Sequence, residues 1–290
     1  MKFIPMKKLY YLTLLLFFFE ANSQYYYKDI VAAAEITRQM KTYVSNNVKK
    51  VTATGITPEG TPSPDYSETQ EVLSSGTMLK ITTNNDREIS SLRYIFNSAG
   101  QLITTVDSSV GVRSVSNYSY DANGKIISIS NVSTDADSSQ DFSQTEVHNY
   151  NYKDGKLDKM WRTINGKDSL EVRFEADENG NVTEERNFKV RVSNDPTYYY
   201  YDDKERLTDI VRFNYKANRL LPDFLFEYDD NGRVIQKIET TSGKNIGYLT
   251  WRYIFNDKGL KTTDALFVKE RTPQGLSPYK LKGKINYTYN

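Results

Sequence analysis

Cysteine is absent from this 290-residue sequence, and histidine occurs once, as His148. Without cysteine there can be no disulfide and no lipid-modified N-terminal cysteine, so stability outside the cell would rest on noncovalent contacts. With one histidine and no cysteine, a His-based metal site and a Cys–His nucleophile are excluded within one chain. We therefore expect no cofactor, and we interpret His148 as a structural residue of a strand.

An excess of charge of either sign is also missing, because 38 basic residues balance 37 acidic ones. No global field then favours nucleic acid or an anionic membrane. Hydrophobic residues make up only 38% of the chain and the mean hydropathy is −0.65, yet 23 residues are tyrosine. This composition argues against a thick aliphatic core and favours a thin sheet, in which the tyrosine ring packs while its hydroxyl reaches water.

Motifs that carry catalytic chemistry are missing as well. The sequence has no Gly-rich phosphate loop and no Gly-x-Ser-x-Gly nucleophile elbow. The residue counts alone do not exclude a Ser–His–Asp triad. The two carboxylates of a glycosidase can be recognised only from the measured distance between them. We therefore expect no catalytic residues and a protein that is not an enzyme.

The N-terminal segment, residues 1–23, has the pattern of a secretory leader. Lys2, Lys7 and Lys8 form a basic region, and residues 9–19 form an apolar stretch too short to span a bilayer comfortably. Small residues favour cleavage before Gln24; a retained membrane anchor is the alternative. The sequence thus predicts an exported protein, periplasmic or extracellular, without a lipid anchor and with no membrane span in the mature chain.

Residues 24–89 are expected to cap the sheet that follows. Residues 28–46 have helical periodicity, with Asp29 as a candidate cap. Strands are predicted over 48–56 and 77–83. The helix would cover an exposed edge of the sheet, since terminal units of a repeat array must hide their edges.

A short repeated pattern fills residues 90–290, and its clearest copy runs from Phe226 to Val234. Two aromatic residues at i and i+2 share one face of a strand, and Asp-Asp-Asn-Gly then supplies a hairpin turn. The aromatic positions and turn glycines of the copies are Tyr94, Phe96 and Gly100; Tyr118, Tyr120 and Gly124; Tyr150, Tyr152 and Gly155; Phe174 and Gly180; Tyr199 and Tyr201; Phe226, Tyr228 and Gly232; and Tyr253, Phe255 and Gly259. Their spacing, in the twenties to thirties of residues, is typical of a repeat architecture.

The segments 228–234 (Tyr-Asp-Asp-Asn-Gly-Arg-Val) and 120–126 (Tyr-Asp-Ala-Asn-Gly-Lys-Ile) resemble the YD repeats of Rhs-type bacterial cell-surface and toxin-carrier proteins. In that family such repeats form β-sheet strips that wind into large shells around a toxin. The resemblance implies hairpin architecture. This chain has too few copies to enclose much and no toxin domain after the last one, so toxin delivery by this chain alone is not expected.

Two further features of the sequence lead to hypotheses. Glu205 stands where other copies have glycine, and we expect a different turn type there, since an L-residue with left-handed φ costs about 1–2 kcal/mol. The acidic loop after residue 131 contains a candidate calcium loop, although a solvated loop is the simpler interpretation. Its candidate ligands are Asp135, Asp137, Ser139 and Glu146.

These observations predict an all-β protein, an elongated, twisted antiparallel sheet of tandem hairpins with one N-terminal capping helix. Whether that sheet stays open, curls or partly closes is left open by the repeat count. The expected function is a secreted, non-catalytic binding or scaffold protein of the bacterial envelope, with an unknown protein or glycan as partner. The alternatives are an accessory component of an Rhs-like toxin or export system and an enzyme acting on extracellular polymer.

Overall fold

The computed structural model describes residues 25–86, 88–109, 111–136, 142–189, 192–193, 195–215, 217–241 and 246–290. The predicted leader lies outside these residues. The described chain contains one α-helix, α1 (Tyr27–Ser45), and a 3-10 turn, Ser74–Gly76. Its strands are β1 (Lys50–Ile56), β2 (Pro62–Leu73), β3 (Met78–Asn85), β4 (Glu88–Phe96), β5 (Leu102–Ser109), β6 (Val112–Tyr120), β7 (Ile126–Asp135), β8 (Ser143–Lys153), β9 (Lys156–Ile164), β10 (Asp168–Ala176), β11 (Val182–Lys189), β12 (Val192–Ser193), β13 (Thr197–Tyr201), β14 (Leu207–Asn214), β15 (Arg219–Tyr228), β16 (Val234–Thr240), β17 (Ile246–Phe255), β18 (Lys261–Thr272), β19 (Gly275–Leu276) and β20 (Lys280–Tyr289).

The sheet is a closed antiparallel barrel of 18 strands, since β12 and β19 have two residues each and form no part of the ring. Successive strands pair with their sequence neighbours, with β11 pairing β13 and β18 pairing β20. The ring closes where β20 pairs with β1, from Val51 opposite Tyr289 to Ile56 opposite Lys284. Closure leaves neither β1 nor β20 with an unpaired edge.

The predicted all-β class is confirmed, but the predicted elongated, twisted sheet of tandem hairpins is wrong, because the sheet is a closed barrel. The first and last strands, β1 and β20, pair with each other, so the backbone groups that an open sheet would leave unpaired are hydrogen-bonded between them. The prediction of a capping helix is also wrong, because there is no exposed terminal edge for α1 to cover.

Helix α1 lies inside the barrel. Its side chains Gln39 and Tyr43 contact Gln70 in β2, while Asp29 contacts His148 in β8. Its first turn also contacts β11 and β13, and its last turn contacts β20. In a closed single-layer ring, one helix can reach strands on all these sides only from the lumen.

The tyrosines explain how so wide a barrel is filled. An 18-stranded barrel leaves an open channel unless something occupies it, and a helix with its side chains is only about 10–12 Å across. Long rings from the wall bridge this gap: Tyr27 of the helix meets Tyr199 edge-on at 5.2 Å, and Tyr43 meets Tyr289 at 6.1 Å. The expectation of tyrosines packed on a thin sheet with their hydroxyls in water therefore needs correction.

Six turns at one end of the barrel, after β4, β6, β10, β13, β15 and β17, share a hydrogen-bonding scheme. In the turn after β6, Gly124 N–H donates to the Asp121 carbonyl at 3.1 Å, and Asp121 Oδ1 accepts the N–H groups of Asn123 and Lys125. The glycine has φ of +80°. Glu205 has φ of +59° and donates to the Asp202 carbonyl at 3.0 Å, so its turn follows the same scheme and the expected change of turn type is wrong.

Because neighbouring strands run in opposite directions, successive connections lie alternately at the two ends of the barrel, and the two ends are unlike. The turns after β4, β6, β8, β10, β13, β15 and β17 form one end, named here the corner rim. The connections after β1, β3, β5, β7, β9, β14 and β16 form the opposite end, the loop rim. Asn46, just after α1, donates to the Lys258 carbonyl in a corner turn, so the helix C-terminus faces the corner rim and its N-terminus faces the loop rim.

Tyrosine hydroxyls join consecutive hairpins near the corner rim. Tyr228 Oη donates to the Leu207 carbonyl at 2.7 Å, one hairpin back in the chain. Tyr120, Tyr152, Tyr201 and Tyr289 make equivalent bonds, each to the carbonyl of an aliphatic or lysine residue at the start of the earlier return strand. The second aromatic position thus supplies a side chain-to-backbone bond as well as a packed ring.

Replacing Tyr228 by phenylalanine tests this bond. The ring stays but the Leu207 carbonyl loses its donor, so we expect the free energy of unfolding to fall by about 1 kcal/mol in urea titrations. Tyr200→Phe is the matched control, because Tyr200 is 48% exposed on the outer face. The control should change stability by less than about 0.5 kcal/mol. Equal effects of the two substitutions would show that the hydroxyl bond contributes nothing.

Candidate functional site

The contacts between α1 and the barrel wall form the candidate functional site, and the first of them holds the start of the helix. Glu185 of β11 is only 2% exposed and points into the lumen. Its carboxyl group accepts the backbone N–H groups of Tyr26 and Tyr27 at 3.0 Å and the Tyr199 hydroxyl at 2.8 Å. It therefore satisfies N–H groups that a helix N-terminus leaves without an intrahelical partner. Asp29, the predicted cap, makes no capping bond.

Asp29 instead belongs to a hydrogen-bonded cluster around His148. His148 Nδ1 lies 2.8 Å from Asp29 Oδ2, and His148 Nε2 lies 2.7 Å from Glu146 Oε1. The Tyr150 hydroxyl also donates to Asp29 Oδ2 at 3.0 Å. A ring with a carboxylate at each nitrogen is held best as the doubly protonated imidazolium, in which both nitrogens donate. In that form His148 has no lone pair with which to act as a base.

The protonation state follows from the balance of burial and bonding. Burial disfavours the charged ring and lowers the pKa of His148, but the hydrogen bonds and negative charges of Asp29 and Glu146 outweigh it and raise this pKa to about 9. The bond to His148 lowers the pKa of Glu146. Burial raises the pKa of Glu185 to about 7, against the lowering effect of its three hydrogen-bond donors. His148 is thus a fixed cation at neutral pH.

This cluster makes the stability of the fold depend on pH. A pKa raised from 6.5 to about 9 by folding gives stabilisation that is complete below pH 6.5 and is lost as the pH rises to 9. We expect His148 to account for a fall of about 3 kcal/mol in the free energy of unfolding over this interval. Urea titrations between pH 6 and 9.5 measure it.

The variant His148→Gln isolates that contribution. Glu185 also loses stabilisation as the pH rises, but between pH 4.5 and 7. The difference between wild type and His148→Gln should therefore shrink mainly between pH 7 and 9. A difference that stays constant across pH would contradict the charged state assigned to His148. The charged groups that act on the cluster are Asp29, Glu146, Arg162 and, through Asp29, Glu185.

A second set of contacts fixes the other half of the helix. Gln70 of β2, 3% exposed, accepts the Tyr43 hydroxyl at 2.7 Å and donates to Glu68 at 2.8 Å. Glu68 also accepts from the Tyr66 hydroxyl and from Thr83. Burial raises the pKa of Glu68, against these hydrogen bonds. The helix is therefore bonded to opposite parts of the wall along its length.

A cavity of about 290 Å³ remains between α1 and strands β6 to β8. Asp29 and Ala32 face it from the helix, and Glu146 and His148 face it from β8. The side chains of His148, Glu146 and Asp29 keep 13, 19 and 21% of their surface exposed. Since they lie inside the barrel, that exposed surface borders the lumen.

The residues singled out from the sequence are distributed along the barrel rather than gathered in one site. Of the aromatic repeat positions, Tyr118 lines the cavity. Tyr150 donates a hydrogen bond to Asp29 of the helix, and Tyr199 donates one to Glu185. The turn glycines Gly100, Gly124, Gly155, Gly180, Gly232 and Gly259 all have positive φ in the corner rim. Asp135 ends β7, and Glu146 binds His148. Asp137 and Ser139 lie outside the described residues, so the calcium loop stays a prediction.

Sequence reasoning missed the partners of the helix. Glu185 and Asp29 bind partners more than 100 positions away in the chain, and Gln70 binds the helix from a strand 27 positions after Tyr43. The one available signal was the surplus of tyrosine at alternate strand positions, because a tyrosine side chain is long enough to reach from the wall of a barrel to a helix in its lumen. Within the described segments, no cluster of three or more His, Asp or Glu side chains is arranged to hold a metal ion.

Among the described residues, no helix has the length and apolar character needed to cross a membrane.

Comparison with known proteins gives distant structural similarities only. No protein-family model matches the chain, and no curated protein matches it. A porin-like protein from Bacteroides uniformis ATCC 8492 is 11% identical, with a TM-score of 0.43, covering 84% of this chain and 98% of its own. A TcdB2–TccC3–Cdc42 complex is 12% identical over 78% of this chain, with a TM-score of 0.33. A Photorhabdus luminescens Tc holotoxin pore is 13% identical over 77%, also with a TM-score of 0.33.

This chain spans only 11 and 12% of the matched chains of the two toxin structures. None of the three similarities is close enough to assign a family or a function.

Proposed function

We propose that this protein is an exported, non-catalytic binding or scaffold barrel of the bacterial envelope, whose corner turns are YD-like repeat units. The observation that carries the proposal is the occupied lumen. Helix α1 is hydrogen-bonded to β2, β8 and β11, so the chain's own segment takes the space in which a wide barrel could hold a large substrate. Binding of large partners is then left to the outer face and the loop rim.

The outer face and the loop rim expose aromatic side chains to solvent. Trp161 is 41% exposed, Tyr200 48% and Tyr215 71%. Aromatic rings with one polar edge are enriched where proteins bind other proteins or sugars, because they combine large contact area with hydrogen bonding. These side chains support a binding role for the outer surface.

The chemistry of the lumen argues against the enzyme alternative. A polymer-cleaving site would need two carboxylates facing a substrate. Asp29 and Glu146 do face each other, but the His148 ring stands between them and bonds to both at 2.8 and 2.7 Å. The pair is therefore committed to holding an imidazolium.

Export and envelope binding are tested together. We expect the full-length chain expressed in a Gram-negative host to appear in the periplasmic or culture fraction with Gln24 as its first residue, and a chain lacking residues 2–23 to stay in the cytoplasm. The purified mature protein should co-sediment with isolated envelope fragments and release no soluble sugar or peptide from them. The triple variant Trp161→Ser, Tyr200→Ser, Tyr215→Ser should sediment less.

Two results would overturn the proposal. Failure of the folded mature protein to bind envelope fragments or any component of a glycan array would remove the binding role. Release of soluble products at a rate proportional to protein concentration would replace it by the enzyme alternative.

A further inference from the structure

We propose that the cavity between α1 and strands β6 to β8 is a binding site for a neutral, polyhydroxylated small molecule, a single sugar ring or a polyol of that size. The inference deepens the proposed binding role and rests on it, but it concerns the lumen, whereas the test above concerns the outer face. The cavity volume of about 290 Å³ equals the space of about ten water molecules and lies at the lower end of small-molecule pockets.

The balance of charge around the cavity selects a neutral ligand. The carboxylates of Asp29 and Glu146 face the imidazolium of His148, and Arg162 acts on Glu146 as a second positive charge. Two negative and two positive groups leave no surplus charge for a cation or an anion to neutralise. A charged ligand would have to give up its hydration without an opposite charge in exchange.

The polar groups of the wall select a ligand that both donates and accepts hydrogen bonds. Asn131 Nδ2 donates to Ser116 Oγ at 2.8 Å, and Asn131 Oδ1 accepts from Ser133 Oγ at 2.9 Å. The Asn131 amide has a second hydrogen, and the Ser116 hydroxyl has a hydrogen of its own to donate. The carboxylates of Asp29 and Glu146 have further lone pairs. Hydroxyl groups of a ligand can satisfy donors and acceptors of both kinds.

The remaining walls are apolar. The ring of Tyr118 and the side chains of Ile129 and Ala32 line the same cavity. A sugar ring has this combination of properties, with hydroxyls around its edge and C–H groups on its faces. A fully apolar ligand would instead displace water from the second hydrogen of the Asn131 amide and from the further lone pairs of the carboxylates without replacing its hydrogen bonds, which costs about 1–3 kcal/mol per group.

Saturation-transfer difference NMR on the mature protein tests the site with defined probes. The neutral probes are the methyl glycosides of glucose, galactose, mannose and N-acetylglucosamine, together with glycerol. The charged probes are putrescine, Ca²⁺ and inorganic phosphate, with Ca²⁺ and phosphate followed by calorimetry. We expect at least one methyl glycoside to bind at millimolar concentration or better, and each charged probe to bind at least tenfold more weakly.

Matched variants locate the binding. Asn131→Leu keeps the side-chain size but removes the amide, and should weaken glycoside binding at least tenfold. Asn149→Leu is the control, since Asn149 lies exposed on the neighbouring strand β8 and its effect should stay within twofold. Should Asn131→Leu fail to fold, Ala32→Leu fills the cavity from the helix with a good helix former and should reduce binding similarly.

Three outcomes would overturn the inference. The first is that no glycoside binds to the wild type at a 50-fold molar excess of probe over protein. The second is that Asn131→Leu and Ala32→Leu both bind glycoside like the wild type, and the third is that a charged probe binds more tightly than every glycoside. The proposed function is judged separately. An Asn131→Leu variant that loses the glycoside yet still sediments with envelope fragments would support this site while leaving the outer-face role intact.

Discussion

Removal of residues 280–290 should leave the chain unable to form a monomeric folded barrel. Strand β20 pairs with β18 on one side and with β1 on the other, so its loss opens the ring and exposes two strand edges. It also removes Ile285 and Tyr287, which are 1 and 7% exposed. Burial of two such side chains and two ladders of hydrogen bonds contributes a large part of a total stability of about 5–15 kcal/mol.

Size-exclusion chromatography and thermal unfolding measure the result. We expect the truncated chain to elute as aggregates, because exposed edges pair with other chains, and to lose its cooperative transition. A synthetic peptide of residues 280–290 added during refolding should restore some monomer, whereas a scrambled peptide of the same composition should not. A truncated chain that stays monomeric and unfolds cooperatively would contradict closure by the β1–β20 pair.

Glu185→Ala should be the most destabilising single substitution among the helix contacts. It leaves the N–H groups of Tyr26 and Tyr27 and the hydroxyl of Tyr199 without an acceptor in the barrel interior. Each buried polar group without a partner costs about 1–3 kcal/mol, so we expect a loss of about 3–6 kcal/mol in the free energy of unfolding. Urea titration at pH 6 measures it.

Two further variants separate the hydrogen bonds from the charge. Glu175→Ala, on an exposed outer-face residue of β10, should change stability by less than about 0.5 kcal/mol. Glu185→Gln keeps one acceptor oxygen and should cost less than Glu185→Ala. It should also remove the loss of stability between pH 4.5 and 7 that follows from the raised pKa of Glu185. If Glu185→Ala were as stable as Glu175→Ala, the helix would not be held through this carboxyl group.

The corner turns could be located from the sequence because their chemistry is local. The bonds of Asp121 to Asn123 and Lys125 span four positions, and the left-handed conformation of Gly124 is a property of one residue. Such information is visible in any short window of sequence. The helix of residues 28–46 was likewise predicted within one residue of its observed bounds, because periodicity over five turns is a strong signal.

Closure could not be predicted in this way. It depends on a seam between strands 236 positions apart, at Thr52 and Thr288, and on whether 18 strands with a given tilt and stagger complete a circle. The turn pattern is the same in an open sheet and in a closed one. The candidate site has the same limitation, since Asp29 and His148 meet across 119 positions and neither has a distinctive neighbour in sequence.

The unlike ends of the barrel have a consequence for protein engineering. A side chain at Gly124, in the corner rim, would press within 3.2 Å of Gln101, whereas one at Gly166, in the turn from β9 to β10, would meet nothing within 4 Å. Foreign peptides grafted beside Gly166 would therefore project into solvent without disturbing an adjoining hairpin. The molecule therefore offers a display scaffold with a permissive turn at Gly166, free of cysteine and so indifferent to reducing agents.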